Sequence, residues 1–254
     1  MKLKILVPIL FYFSIHAQAM AETISKKADG DAMRLLSKNN QAVIYANGDK
    51  ICSYAYERSF FKPYIKELFT PAGVNVLLDS PNDHKHHHGL MYAIKVNSTN
   101  FWEEVEKSGR QEPQGIAEIF SQSTSTGGWA GFKSELNWID GDGNALMREK
   151  RKIVVENIRE LDARLLTWHS TFKSLDEKDL SLTGSHFHGL GMRFLPEMNE
   201  IGEFFTAENK IGEIFRGEER LIPDRWCAYT APVKSGVVTV AMFGHPQNPN
   251  GDTI

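Results

Sequence analysis

Arg164-Leu165-Leu166-Thr167-Trp168-His169-Ser170-Thr171-Phe172 is the stretch whose reading decides the fold. Its apolar and polar side chains roughly alternate. A period of two places successive side chains on opposite faces of a pleated strand, so the stretch reads as a long strand with one buried face. Short β-branched or aromatic runs repeat the pattern on either side of it. They are Ala42 to Ala46, Ile51 to Tyr56, Val74 to Leu78, Leu90 to Val96, Ile116 to Ser121, Ser134 to Ile139, Lys152 to Glu156, Met192 to Leu195 and Val237 to Phe243. Turn residues separate them at Asn47-Gly48-Asp49, Pro71-Ala72-Gly73, Gly127-Gly128 and Asp140-Gly141-Asp142-Gly143-Asn144. Helical patterning is confined to Asp31 to Ser37 and, more weakly, Trp102 to Lys107. Many short strands with frequent turns predict a mostly β protein, an antiparallel β-sandwich.

The N-terminus predicts an export signal. Lys2 and Lys4 precede an almost unbroken apolar run from Ile5 to Ile15, and small residues follow at Ala17, Ala19 and Ala21. That apolar core is too short to span a bilayer, so residues 1–21 read as a cleavable signal peptide and the destination as periplasmic or secreted. Residues 22–254 then form a single domain, with no linker, repeat or low-complexity tract and no later apolar run of membrane-spanning length. Loss of Lys2 and Lys4 leaves 27 basic against 32 acidic side chains, a net of −5. There is no basic block and no interleaved aromatic platform, which excludes nucleic acid as a partner. Cys52 and Cys227 are the two cysteines; they either pair or stay as buried free thiols.

Four histidines occupy five positions in Asp83-His84-Lys85-His86-His87-His88-Gly89-Leu90, and a second pair stands in Ser185-His186-Phe187-His188-Gly189. Imidazole exchanges protons near neutral pH and binds divalent metals. On a strand, His84, His86 and His88 would share one face, and Asp83 would orient an imidazole through its Nδ1–H. A polar turn after Ser80-Pro81-Asn82 is the alternative reading. Gly184, Gly189 and Gly191 imply close approach around the second pair. Phe101-Trp102 and Arg225-Trp226 set aromatic rings beside charges, as stacking surfaces for sugar rings or as core. Glu103 and Glu104 read as loop charges, with a general-base role if a cleft holds them. No nucleophile elbow, P-loop, dinucleotide fingerprint or HExxH helix is present.

These blocks carry a resemblance. Phe60-Phe61-Lys62-Pro63-Tyr64-Ile65, Phe69-Thr70-Pro71-Ala72-Gly73-Val74, the Asp83–Leu90 run, Phe101-Trp102, Ser185–Phe194, Arg225-Trp226-Cys227 and His245-Pro246-Gln247-Asn248-Pro249 follow one family in order and spacing. It is the secreted bacterial family of unknown function often tagged "methane oxygenase PmoA", and the chain resembles it over nearly all of residues 22–254. The resemblance implies a sandwich akin to the galactose-mutarotase supersandwich and an association with carbohydrate degradation. Methane oxidation is excluded, because a membrane monooxygenase subunit needs several apolar spans. Gly244 stands where family members usually carry an aspartate. The family also continues past the Asn-Pro segment, so a chain ending at Ile254 is expected to be truncated at the C-terminus, with a sheet edge exposed.

Together these readings predict a carbohydrate-active protein with a small-molecule or oligosaccharide substrate. The first reading is an enzyme doing histidine acid/base chemistry: epimerisation, ring opening, elimination or glycoside cleavage. His86 and His186 would transfer protons; Asp83, His87, Trp102, Arg193 and Trp226 would bind substrate, with Arg193 on a carboxylate or developing oxyanion. His84, His88 and His188 are the candidate ligands for a divalent metal. The alternatives are a non-catalytic glycan-binding protein and a metal-dependent hydrolase or oxygenase.

Overall fold

A computed structural model describes residues 33–176, 178–198, 201–209, 213–216 and 219–249, together with the backbone of Lys2–Ile9. The signal-peptide prediction, residues 1–21, otherwise lies outside the described residues.

The fold is mostly β, with every named strand pair antiparallel. One sheet runs in the order Gly189–Met192, Leu90–Ala93, Tyr64–Leu68, Asp49–Ala55, Gln41–Ala46, Met33–Lys38. The other contains Ala163–Ser174, Ala145–Ile158, Gly127–Ile139 and Arg110–Thr124 in that order, with the Lys2–Ile9 backbone beside Ala163–Ser174. A three-stranded sheet of Glu203–Thr206, Trp226–Val233 and Gly236–Phe243 follows.

Ala163–Ser174 behaves as its alternation demands: Leu166, Trp168, Ser170 and Phe172 are buried, with half-buried residues between them. This buried face meets the six-stranded sheet. Tyr92 packs against Phe172 at 5.8 Å and Trp138 at 6.1 Å between ring centres, and Tyr54 packs against Phe132 at 4.8 Å. Full burial of side chains such as Phe132, Leu136 and Ile153 contributes about 1.5–3 kcal/mol each.

A polar network also crosses the core. Glu149 and Arg151 project inward from Ala145–Ile158 with fully buried side chains, joined at 2.7 Å. Trp138 Nε1 and Ser170 Oγ donate to Glu149. Arg151 donates to Tyr54 Oη (3.2 Å), the Pro63 carbonyl (3.1 Å) and Gln111 Oε1 (3.1 Å), and lies over the Trp168 ring at 4.4 Å. Burial disfavours the Arg151 charge, but Glu149 outweighs it and the guanidinium is held more firmly protonated than usual. Such a pair is tolerable because nearly every donor and acceptor is satisfied.

Three sequence expectations are corrected. The helix expected over Asp31 to Ser37 is not formed by its described residues: Met33–Lys38 is a strand that buries Met33 and Leu35. Trp102 to Lys107 forms turns. Val74 to Leu78 joins no ladder; the Asn75 side chain takes the Leu68 and Leu77 N–H groups instead, leaving isolated bridges at Phe69–Asn75 and Leu77–Phe194. Cys52 is buried on Asp49–Ala55 and Cys227 is half-buried on Trp226–Val233; both thiols are free.

Candidate functional site

The histidine run is not a strand. It lies in successive turns closed by His84 N to Pro81 O (3.0 Å), His87 N to His84 O (2.9 Å) and Ser80 N to His87 O (2.9 Å). Pro81 and Asn82 favour this turning, so the two-residue face expected for His84, His86 and His88 does not exist. Arg193 ties off both ends of the loop, accepting from Leu78 N and donating to Gly89 O, each at 2.8 Å. Gly89 is required where the loop meets the sheet, since a Cβ there would lie 2.2 Å from the Ile65 carbonyl oxygen.

The turns divide the run into an inner histidine and an outer trio. His88 points inward. Its Nδ1 meets Asp79 at 2.7 Å, its Nε2 meets Glu104 at 3.0 Å, and its ring stacks on Tyr64 at 4.2 Å. Tyr64 also donates to Asp79 at 3.0 Å. Beneath, Lys62 has no exposed side-chain surface and donates to Glu104 (2.6 Å), the Trp102 carbonyl (2.9 Å) and, at 3.5 Å, the His86 carbonyl. One buried ammonium therefore staples the histidine turn to the Trp102 loop. Burial works against the His88 charge, yet the hydrogen bonds to Asp79 and Glu104 prevail and raise its pKa. Burial would raise Asp79 and Glu104, and the His88 bonds reverse this, lowering both. For Lys62 burial prevails over Glu104 and lowers the pKa.

His84, His86 and His87 fan outward. His87 stacks on His84 at 4.7 Å and meets His86 edge-on at 4.4 Å. Asp83 engages His84 Nδ1 at 2.9 Å, as expected for an orienting carboxylate, and accepts from Arg193 at 3.3 Å. The His84 hydrogen bond holds the Asp83 carboxyl below its usual range. Glu103 lies 3.6 Å from His86 Nε2. Burial lowers His86, against the pull of Glu103. Burial also lowers His87, to about 4, with His86 and His84 adding to it. Both rings are therefore neutral near pH 7 and carry a lone pair for a proton.

Trp102 is the floor shared by the two histidine segments. His87 meets it edge-on at 5.6 Å, His188 stacks on it at 5.3 Å, and Phe187 tilts against it at 5.7 Å. A Cβ on Gly191 would sit 3.0 Å from the indole, and one on Gly184 would sit 2.6 Å from His188, which accounts for two of the glycines. At 4 % exposure Trp102 is not an open stacking wall. His186 is exposed on the same turn as His188. Trp226 has its ring contact with Phe243 in the three-stranded sheet.

The structure thus gathers Asp83, His84, His86, His87, Trp102, His188 and Arg193 around one place. It does not gather His84, His88 and His188 as a metal-ligand set. His88 has both ring nitrogens committed to carboxylates, and among the described residues no three His, Cys, Asp or Glu side chains are arranged to hold an ion. Sequence reasoning missed Lys62, Tyr64 and Asp79, and read Glu104 as a loop charge, or a general base if a cleft held it; its side chain is mostly buried against Lys62 and His88. The available signal was Lys62 set inside the apolar run Phe60-Phe61-Lys62-Pro63-Tyr64-Ile65, where a charge must find a buried partner.

Antiparallel sheets enclosing an apolar core crossed by one buried polar network, with a loop-borne cluster of imidazoles on one edge, define the class of protein. The chain belongs to a family of unknown function, DUF6807, whose model matches residues 41–253. No curated protein and no solved structure matches it. Among the described residues no helix is long and apolar enough to cross a membrane.

Proposed function

We propose that the chain is an exported carbohydrate-active enzyme that moves protons on a sugar at the site around Trp102. The observation that carries this reading is the meeting of two distant histidine segments on one indole, with Glu103 and Arg193 beside them. A neutral His86 removes a proton from a carbon next to a carbonyl or carboxyl group, and the electron pair moves onto that oxygen. Arg193 stabilises the oxyanion, as fixed positive charge does wherever negative charge develops. In an epimerisation the electron pair returns to carbon as His186 delivers a second proton to the opposite face and His86 keeps the first. In an elimination the electron pair forms the double bond as a β-substituent leaves, taking up the proton held by His86. Asp83 and His87 hold the ligand, while the buried Lys62–Glu104–His88–Asp79 chain fixes the loop that presents His86.

The resemblance to the PmoA-tagged family and to the mutarotase sandwich supports a sugar as the ligand, and the N-terminal leader pattern supports export. The test is proton NMR of the purified chain in D2O with aldoses, hexuronates and oligosaccharides. Loss of a substrate C–H signal, slowed by His86→Gln by roughly a hundredfold or more, is the expected result for a general base. Saturation-transfer contacts with no exchange or turnover of any sugar would make the protein a glycan binder and overturn the catalytic reading.

A further inference from the structure

Trp102 and His188 share an unusual condition. Trp102 Nε1 and His188 Nδ1 are both buried, and neither has a hydrogen-bond partner among the described residues. An indole N–H can only donate, and buried donors are nearly always satisfied, so a pair of orphans on two stacked rings needs an explanation. The cover over them is slight. Ser185, His186 and Phe187 are exposed, the turn is closed locally by His188 N to Ser185 O at 3.0 Å, and Gly184 and Gly189 flank it. Gly189 has φ +120°, a backbone conformation that L side chains rarely adopt. Phe187 rests on Trp102 although it is 44 % exposed.

We infer that the Gly184–Gly189 turn is a lid, and that Trp102 Nε1 in the floor and His188 Nδ1 on the lid's inner side form a subsite for the hydroxyl groups of a neutral sugar. The inference rests on the proposed reading of the same site and adds the chemistry of recognition. A hydroxyl accepts from the indole N–H and can either donate to or accept from the imidazole nitrogen, so it fits both tautomers of His188, whereas a carboxylate can only accept and fits just the tautomer with its proton on Nδ1. Trp102 is thus a hydrogen-bond donor to the ligand and not a stacking wall. The indole supplies the floor, Phe187 and His188 lift away with the turn, and the ligand satisfies both orphans as the turn closes.

The test uses the full chain labelled with 15N-tryptophan, whose five tryptophans give five indole N–H resonances. Trp102→Phe identifies the Trp102 signal by its loss. Should that variant not fold, Phe187→Ala and His188→Phe identify the same signal by shifting it. In the free protein the Trp102 N–H is expected at the position of an indole without a hydrogen bond. Addition of D-glucose, D-galactose or D-mannose moves it downfield for at least one sugar, and the corresponding uronates do no better. His188→Phe keeps the stacked ring but removes Nδ1, and weakens that sugar by roughly three- to tenfold, the worth of one ordinary hydrogen bond. A downfield signal already present in the free protein, or one that no probe moves, overturns the subsite. A sugar that is turned over while the Trp102 signal stays fixed sinks the subsite alone. One that moves the signal without any proton exchange leaves the subsite standing and sinks the catalytic reading.

Discussion

Replacing Arg151 with methionine tests the core that supports the site. The substitution keeps an unbranched apolar stem but deletes both bonds to Glu149, at 2.7 and 2.9 Å, and those to Tyr54, Pro63 and Gln111. Among the described residues Glu149 then keeps Trp138 and Ser170 as donors and stays fully buried. Removing one partner of a buried pair costs about 3–5 kcal/mol, because the remaining charge is uncompensated. At about 2–4 °C per kcal/mol for a chain of this size, the melting temperature should fall by roughly 6–20 °C. Urea unfolding followed by circular dichroism and tryptophan fluorescence measures the cost directly. Adding Glu149→Leu should restore part of the loss, so the double variant is less destabilised than the two singles combined. A single-variant cost under about 1 kcal/mol, or strictly additive singles, would refute the claim that the pair is a coupled unit in a dry core.

The acid limb of stability should depend on His87. Its folded pKa of about 4 lies below the ordinary 6.5, so the unfolded chain takes up more protons between these values and stability falls as pH drops through that window. His87→Gln should move the acid midpoint of unfolding to lower pH, as an acid titration of ellipticity will read. His88 has the opposite sign: its pKa is raised above 6.5, so its contribution is full below that value and fades as pH rises through the folded pKa. His88→Gln should therefore lose most at mildly acidic pH and least at alkaline pH, and chemical melts across the range would show the difference. Gly89→Ala forces a Cβ to within 2.2 Å of a backbone oxygen, so the Tyr64–Leu68 to Leu90–Ala93 contact must shift; a cost of at least about 1–3 kcal/mol by thermal melting is expected. Gly191→Ala presses on the Trp102 ring at 3.0 Å and should alter tryptophan fluorescence with a smaller loss of stability.

The sequence was readable where the inward face is apolar. Leu166, Trp168 and Phe172 mark their strand in this way, and the Gln41–Ala46 and Asp49–Ala55 strands follow suit. It misled at Ala145–Ile158, where only Lys152 to Glu156 was recognised, because inward-facing Glu149 and Arg151 look like solvated positions. Met33 and Leu36 stand three apart and suggest a helix, yet the structure exposes Leu36 and buries Leu35. Tyr64–Leu68 and Trp226–Val233 went unread, one carrying adjacent Lys66 and Glu67 and the other interrupted by Pro232. At the site, the histidines announce themselves by composition alone. Their supports are harder to read: Lys62 is marked only by its apolar surroundings, and Asp79 and Glu104 are tied to it and to His88 by tertiary contacts that leave no local period.

The partners of Arg151 also bear on the order of assembly. Glu149 is two residues away, but Tyr54 and Pro63 lie 97 and 88 residues earlier in the chain. A chain that has built only the sheet around Ala145–Ile158 can form the ion pair in water at little cost and cannot yet bury it well. Covering that face with any apolar segment other than the one carrying Tyr54 and the Pro63 carbonyl would strand guanidinium protons without acceptors. The charge therefore discriminates among ways of closing the sandwich. It penalises mispaired, prematurely collapsed forms more than it stabilises the finished one. Closure must wait for contacts of high sequence separation, which are slow to form.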